Sequence, residues 1–352
     1  MGSVGHIMAA QASSLPETIS ASLRDPQGLR PVFERWLASR QAGAAVAAAR
    51  VIANDTVLVD AGWDGETHRL VVRLTSTGPL ESRCHYLTLQ RLGSQLTRPA
   101  VPAVLWREDD PGPLGAPFFV MTRLDGLTTA KYETPYTFGS WITEASAADR
   151  RRMQRATLEQ LARVHAAAPA DFAFLDRRRP GESALSTRFR QTAELYETVA
   201  SRGLRAPLIE RALAWLREHW PTEPVPVLCW GDARIDNAVY RDFGSVALLG
   251  WQHATLGPRE LDLGALILRH RFADSLAHAA GHPGLPDFLR PEDVASTYAD
   301  INGYRPVDLG FYITHAATAL AIETLRSPLR TNAFKTLEHA MANDDQRPEG
   351  ET

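Results

Sequence analysis

The sequence has little cysteine: two thiols, Cys84 and Cys229, occur in 352 residues. This count supplies neither a disulfide framework nor zinc-ligand spacing, which excludes a disulfide-stapled secreted domain and a zinc finger. Apolar runs long enough for a membrane span are also missing, so we expect no membrane association. The first ten residues lack the basic flank and apolar core of a signal peptide. We therefore expect a cytoplasmic protein.

An excess of positive charge is absent as well. The chain has 38 Lys and Arg against 41 Asp and Glu, a net charge of −3, with both signs interspersed. A nucleic-acid-binding domain usually shows a basic patch or stripe, so we expect no nucleic-acid partner. Apolar residues make up 44% of the chain, which is ordinary for a globular protein with a sizeable core. The chain is long enough for two or three folding units.

The first third of the chain has strand-like segments around one helix. Residues 83–96 place Tyr86, Leu89 and Leu92 on one face, which predicts a helix, and residues 23–42 predict another before it. Short apolar or β-branched runs bounded by turn residues predict strands. These runs are residues 46–59, 70–74, 104–106 and 118–124, with residues 61–65 as a turn. They predict a small antiparallel sheet ending near Leu124.

Beyond Gly126 helical spacing dominates, as in residues 148–167 and 208–219. Short apolar runs at 237–241 and 245–250 flank Asp242-Phe243-Gly244 and predict a tight hairpin, with this triplet as its turn. A small sheet followed by a larger helical part is an α+β plan with two lobes. We predict an N-terminal lobe over residues 1–124 and a helical lobe over residues 125–352.

Asp232 and Asn237 stand five residues apart in the segment Trp-Gly-Asp-Ala-Arg-Ile-Asp-Asn. This is the D-x-x-x-x-N spacing of the kinase catalytic loop. In that loop the Asp orients or deprotonates the attacking hydroxyl, and the Asn reaches a magnesium ion held by the nucleotide phosphates. The spacing alone is a weak signal, because Asp and Asn are common loop residues.

The wider sequence resembles the aminoglycoside phosphotransferase family, with its choline-kinase-like relatives. Residues 230–237 and 251–264 are similar to WGDxRxGN and LDWExAxLGPxExDL, the motifs of a bacterial branch related to acyl-CoA dehydrogenase-associated kinase domains. The resemblance runs from Pro16 to Leu329. It implies a bilobal protein-kinase-like fold, with a small antiparallel-sheet lobe and a larger helical lobe.

The resemblance also implies roles for individual residues. Asp232 matches the catalytic Asp at the cleft between the lobes, and Asp262 matches a buried Asp that braces the catalytic loop. Three further matches concern nucleotide binding. Arg73 matches the phosphate-binding Lys of kinases, and Asn237 matches the metal-binding Asn. Phe119 and Met121 lie in the segment that matches the hinge that meets adenine.

One position departs from the family pattern where a metal ligand is needed. The Asp of the LDWE motif is replaced by Gly250, and the Glu that follows is replaced by Gln252. Magnesium in proteins is usually held by one or two carboxylates together with phosphates and waters. We therefore expect no metal site and no cofactor, with ATP and magnesium as the alternative.

Three functions remain open. The first is a repurposed enzyme that acts on a small, natural-product-like substrate without ATP and magnesium, with Asp232 as general acid or base. The alternatives are an ATP-dependent phosphotransferase acting on a small-molecule hydroxyl and a non-catalytic pseudokinase that binds a small molecule. We expect the substrate pocket to come from the helical lobe, around Tyr132, Tyr136, Trp141 and Tyr196. The sequence gives no indication of the oligomeric state.

Overall fold

A computed structural model of the chain describes residues 26–53, 55–74, 79–96, 100–128 and 135–344. Within them the contacts form two compact units, one that ends at Asp125 and one that begins at Gly126. The residues up to 25 and Tyr132, one of the predicted pocket residues, lie outside the described ranges. No helix among the described residues is long and apolar enough to cross a membrane.

The first unit is a five-stranded antiparallel sheet with two helices, which confirms the predicted small sheet. The strands are hydrogen-bonded in the order β1-β2-β3-β5-β4. The elements are α1 (Pro26–Arg40), β1 (Ala45–Ala53), β2 (Thr56–Trp63), β3 (Glu66–Leu74), α2 (Pro79–Gln95), β4 (Val104–Glu108) and β5 (Phe118–Thr122).

The core of this unit lies between one face of the sheet and helix α1. Val57 pairs with Val72 and Val59 pairs with Leu70 across β2 and β3, and all four side chains are buried. Side chains two residues apart point to the same face of a strand, so this register places them together. Phe33 of α1 belongs to the same apolar cluster. The alternation of buried residues along the strands therefore fixes which face of the sheet α1 covers.

Residues 46–59, predicted as one strand, are two strands that pair with each other. β1 and β2 run antiparallel, and Ala53 lies opposite Thr56 at the reversal. The predicted turn at 61–65 is shorter, because residues 61–63 continue β2 and the chain reverses at Asp64 and Gly65. Both turn residues have a left-handed backbone, with φ of 52° and 78°, which matches the twist of a two-residue hairpin.

Phe118 tests the packing of this core. Its side chain is 1% exposed, and its ring centroid lies 4.8 Å from that of Trp36 in α1. We expect Phe118→Ala to lower the free energy of unfolding by about 3–5 kcal/mol, because a buried aromatic ring is lost and a cavity remains. Urea denaturation followed by tryptophan fluorescence measures it. Leu105→Ala, at an exposed position of β4, is the control; equal losses in both variants would contradict this packing.

The second unit is mainly helical and holds two short strand pairs. Its strands are β6 (Val227–Cys229), β7 (Ala238–Arg241), β8 (Gly244–Leu248) and β9 (Thr255–Gly257), paired as β6 with β9 and β7 with β8. Its helices are α3 (Trp141–Glu144), α4 (Ala147–His165), α5 (Ala184–Ala200), α6 (Pro207–Glu218), α7 (Glu260–Ala279), α8 (Pro291–Asn302), α9 (Leu309–Glu323) and α10 (Arg330–Asp344).

Helix α9 is the centre of the helical part. Most of its residues are buried, and its sequence is apolar on nearly every side, as expected of a helix enclosed by others. Helix α7 crosses it at Gly264, where an added Cβ would lie 2.8 Å from the backbone carbon of Tyr312. The two backbones therefore touch, and this contact sets the spacing between the helices.

The β7–β8 hairpin joins two positions that the sequence analysis singled out. Its turn is formed by Asp242 and Phe243, with φ of 49° and 58°, which confirms that the Asp-Phe-Gly triplet is a turn. Asn237 precedes β7 and Gly250 follows β8. The backbone N–H of Leu249 donates to the carbonyl of Asn237 at 2.7 Å. The hairpin thus brings Asn237 beside Gly250.

Candidate functional site

The loop after β6 brings Asp232 and Asn237 together. The Asn237 amide Nδ2 donates to the Asp232 carboxylate Oδ2 at 2.7 Å and to the Asp232 carbonyl at 3.0 Å. A guanidinium nitrogen of Arg234 lies 3.3 Å from the same carboxylate oxygen. The Asp232 side chain is 11% exposed, so the carboxylate is partly desolvated but still open to a ligand.

Asp262, on helix α7, holds the start of this loop. Its carboxylate is buried and accepts hydrogen bonds from the backbone N–H groups of Trp230, at 2.6 Å, and Gly231, at 2.8 Å. His165 Nε2 lies 3.0 Å from the same carboxylate, and Tyr298 is hydrogen-bonded to His165 Nδ1 at 2.7 Å. A buried carboxylate must find such donors to offset its lost hydration. Asp262 therefore has the bracing role that the resemblance implied.

Gly231 lets the loop lie against the chain that follows β8. Its φ is +84°, and an added Cβ would overlap the carbonyl oxygen of His253. A residue with a side chain is excluded on both grounds, since left-handed backbone and close approach each favour glycine. Gly231 therefore fixes the backbone immediately before Asp232.

A second cluster near the loop has metal-ligand chemistry but is already satisfied. Among the described residues, His165, Cys229 and Asp262 place their ligand atoms within 4.8 Å of one another, and all three are buried. The Cys229 thiol lies 3.4 Å from the carbonyl of Gly257, and burial raises its pKa. A metal needs the thiolate, and His165 and Asp262 are occupied in bracing the loop. We interpret this cluster as structural.

Gly250 has a left-handed backbone, with φ of 78° and ψ of 32°. A Cβ at this position would lie 2.6 Å from the Nδ2 atom of Asn237. The Asn237 amide therefore fills the space in which a side chain at position 250 would begin. Because position 250 has no side chain, the Asn237 amide has the space from which it donates its hydrogen bond to Asp232.

A cavity of about 90 Å³ lies beside Asp232, entirely within the helical unit. Helices α5, α7 and α9, strand β9 and the catalytic loop contribute to its wall. Its polar lining residues include Asp232, Thr255, Arg188, Arg269, His315 and Glu323.

The ionisable groups of this cavity differ in their electrostatic environment. Burial lowers the pKa of Arg188, and burial lowers that of His315 to about 3, so His315 is neutral near pH 7. Burial also opposes the charge on Arg269, but the carboxylates of Glu323 and Asp232 outweigh it and raise the pKa of that guanidinium. Arg269 and Glu323 are 3.1 Å apart.

The predicted pocket residues lie elsewhere in the helical unit. Tyr136 is buried and hydrogen-bonded to His270 at 2.8 Å, and Tyr196 is buried and donates to Glu210 at 3.0 Å. Trp141 packs against Tyr240 and Phe243. None of these three side chains lines the cavity beside Asp232.

The cavity residues that the sequence analysis missed did leave a helical signal. Arg269 follows Asp262 by seven residues on α7, which is two turns, so both share a face. On α9 the spacing of Ala316, Ala319 and Glu323 defines a face of small residues that ends in a charge. Small residues that face a polar group mark space beside a helix. The aromatic residues of the pocket prediction do not mark such space.

The residues predicted to bind nucleotide lie in the sheet unit. Arg73 of β3 donates to the Thr56 hydroxyl at 2.7 Å and lies 3.0 Å from the Asp55 carboxylate. Phe119 is its cross-strand partner on β5, is buried and meets the His85 ring edge-on with centroids 5.0 Å apart. Met121 is half-buried, two residues further along β5. Arg73 and Phe119 are thus neighbours across two strands.

Comparison with known proteins identifies the family. The sequence model of the phosphotransferase enzyme family (APH) matches residues 35–292. A protein assigned as an aminoglycoside phosphotransferase, from Ralstonia eutropha JMP134, is 19% identical, with a TM-score of 0.63 over 89% of this chain and 98% of that one. Macrolide 2'-phosphotransferase MphH from Brachybacterium faecium is also 19% identical, with a TM-score of 0.55 over 89% and 98%.

A thermostable mutant of aminoglycoside phosphotransferase APH(4)-Ia, in a ternary complex with ADP and hygromycin B, is 12% identical. It superposes with a TM-score of 0.61 over 90% of this chain and 99% of that one. The present chain belongs to the phosphotransferase enzyme family, and its fold is the protein-kinase-like fold of that family, as the resemblance implied.

The expectation that the chain uses no cofactor is wrong. Structurally similar proteins are complexes with ADP, and with AMP-PNP in a further structure of the same mutant enzyme series. The expectation rested on Gly250 alone. A nucleotide is held by many groups, among them backbone, apolar and basic ones, so losing one metal ligand does not remove the site.

Asp262→Asn tests the bracing of the catalytic loop. The amide keeps the shape but turns an acceptor into a donor facing a backbone N–H, so we expect the free energy of unfolding to fall by about 2–3 kcal/mol. Urea denaturation measures it. Asp242→Asn is the control, because Asp242 is exposed and Asn tolerates its left-handed backbone. Stability of Asp262→Asn equal to that of the control would contradict the bracing role.

Proposed function

We propose that the protein is a nucleotide-dependent phosphotransferase that acts on a hydroxyl group of a small molecule. The observation that carries the proposal is the 2.7 Å hydrogen bond between Asn237 and Asp232, with Asp232 at the wall of a cavity. The family and the complexes of similar proteins with nucleotides and hygromycin B support it. The coarse chemistry follows from the family, and the residue roles are our proposal.

Asp232 receives the acceptor hydroxyl in this proposal. A carboxylate at the cavity wall accepts a hydrogen bond from the hydroxyl, orients its oxygen for attack and takes the proton as the new bond forms. Arg234 and Asn237 both contact Asp232 Oδ2, which leaves Oδ1 as the atom for the substrate. These two contacts also keep the carboxylate in one orientation. A fixed orientation of the reacting groups accelerates the reaction.

The nucleotide-binding residues belong to the sheet unit. The β5 backbone at Phe119 and Met121 meets the base, since the Phe119 side chain is buried. Arg73 supplies the charge for a phosphate. Arg73 fits this role because a guanidinium can donate to several oxygens, although Asp55 and Thr56 already hold it in place. When bound, the nucleotide supplies the phosphoryl group.

In this proposal the chain has fewer side-chain ligands for magnesium than the family pattern provides. Gly250 offers no side-chain oxygen, and the Asn237 amide group points its Nδ2 at Asp232. The carboxylates left in the loop are those of Asp232 and Asp236. One of them is committed to the acceptor, which leaves the carboxylate of Asp236 alone for magnesium, the lower limit of the one or two carboxylates that such sites use. The chemistry of Asp232 follows from its position beside the acceptor hydroxyl.

Asp232→Asn tests the proposed proton transfer. We expect turnover, measured as ADP release from ATP in the presence of hydroxylated acceptors, to fall by about 10²–10⁴-fold, which is the usual range for a general base. Calorimetric affinity for ATP should stay within about twofold, since binding and proton transfer use different groups. Asp242→Asn is the matched control, because it makes the same chemical change at an exposed turn residue outside the loop. Turnover of Asp232→Asn within a few-fold of the parent, or no ATP binding by the parent, would refute the proposal.

Gly250→Asp tests the missing metal ligand. We expect magnesium to raise the ATP affinity of this variant more than that of the parent, because a carboxylate joins Asn237. The melting temperature should fall, since the new side chain must displace Asn237. Gly250→Ala reproduces the backbone strain and the crowding without the carboxylate. If both variants respond to magnesium alike, position 250 has no part in metal binding.

A further inference from the structure

The cavity beside Asp232 contains a cation, Arg188, that no acidic group of the described residues contacts directly. Arg188, on α5, forms no ion pair with any Asp or Glu among the residues that the structure describes. Its Nη1 donates to the neutral amide oxygen of Gln191 at 2.9 Å, and its Nε is buried without a hydrogen-bond partner. An arginine in a buried setting is usually paired, because its desolvation is unfavourable. Within the described part of the chain, Arg188 therefore has no carboxylate in direct contact, although those of Asp262 and Glu323 act on its charge from a distance.

The acids of the cavity are already engaged with other groups. Glu323 lies 3.1 Å from Arg269, and Asp232 lies 3.3 Å from Arg234. Asp262 accepts from two backbone N–H groups and is committed to the loop. Asp232 and Glu323 each have a cation in direct contact, whereas the carboxylates of Asp262 and Glu323 act on Arg188 only from a distance. The Arg188 guanidinium therefore has no ion pair of its own within the described ranges.

The remaining titratable group in the wall adds no negative charge. His315, on α9, is neutral near pH 7, because burial lowers its pKa to about 3, and its Nε2 lies 3.4 Å from the Thr192 hydroxyl. The other walls around Arg188 include Ala265, Ala316 and Ala319, which leave space rather than polar contacts. The cavity thus offers a basic group, room and the carboxylate of Asp232.

We propose that the acceptor substrate carries an oxyanion, a carboxylate or a phosphate, which pairs with Arg188 while its hydroxyl meets Asp232. Guanidinium groups bind both oxyanions through paired N–H donors. This inference rests on the proposed phosphotransfer, since it names the class of acceptor for that site. A polycationic sugar is disfavoured, because an ammonium group would enter beside Arg188 in a poorly screened setting.

Four matched sugars test the charge of the acceptor: glucose, glucosamine, glucuronate and glucose 6-phosphate. Their binding to the full chain is measured by calorimetry without nucleotide. We expect one of the two acidic sugars to bind at least about tenfold more tightly than glucose, as charge-assisted hydrogen bonds imply. Preference for glucuronate identifies a carboxylate, and preference for glucose 6-phosphate identifies a phosphate.

Variants of Arg188 assign the effect to this residue. Arg188→Ala and Arg188→Gln should both lose the preference for the acidic sugar, and a melting curve shows that each is folded. Arg190→Ala is the matched control on the same helix, because Arg190 is paired with Glu182 and Glu194 instead of facing the cavity. The control should keep the preference.

Several outcomes would overturn the inference: equal binding of the four sugars, preference for glucosamine, or a preference that survives in both Arg188 variants. A titration with ATP separates this result from the proposed function. ATP binding by the parent without any preference for acidic sugars refutes the oxyanion and leaves the phosphotransferase. Preference for an acidic sugar without ATP binding supports the oxyanion site and refutes the nucleotide-dependent phosphotransferase. Loss of ATP affinity in the Arg188 variants would assign Arg188 to the nucleotide instead.

Discussion

The catalytic loop depends on one buried carboxylate. Asp262 accepts from the N–H groups of Trp230 and Gly231, and both bonds are short, so the backbone before Asp232 has one position. His165 and Tyr298 extend this bonding into α4 and α8. A carboxylate without these donors would be unstable in the interior, so the loop and the acid stabilise each other. The position of the backbone at Asp232 is thus set by a hydrogen-bond network that reaches from the loop into two helices.

The sequence predicted best where a pattern is local. The sheet, the helices and the Asp242–Phe243 turn each follow from apolar spacing or turn residues within a few positions. Residues 46–59 were the exception, because both strands there are rich in small apolar residues and the reversal is marked only by the polar residues Asn54, Asp55 and Thr56. Apolar periodicity cannot locate a reversal of the chain that is marked by so few polar residues. The family motifs then identified Asp232, Asn237 and Asp262, whose hydrogen bonds the structure shows.

The cavity could not be predicted in the same way. Its wall combines residues from α5, α7 and α9, which are distant in sequence, and each looks ordinary in its own helix. Aromatic residues such as Tyr136 and Tyr196 were plausible candidates, yet packing uses them in the core. The nucleotide expectation failed for a related reason, since a single substituted ligand at Gly250 was given the weight of a whole site. A site formed by several groups tolerates the loss of one.

The close approach of α7 and α9 at Gly264 limits how this protein can change its specificity. Because the two backbones already touch there, the helices have no freedom to move closer, and a larger residue would force them apart and disturb the core. The size of the cavity beside Asp232 is then set by side chains on the facing surfaces. Ala265, Ala316 and Ala319 are such positions, where one substitution adds bulk without moving a helix. Substitution of these alanines would therefore change the size of the cavity while the spacing of the two helices stays constant.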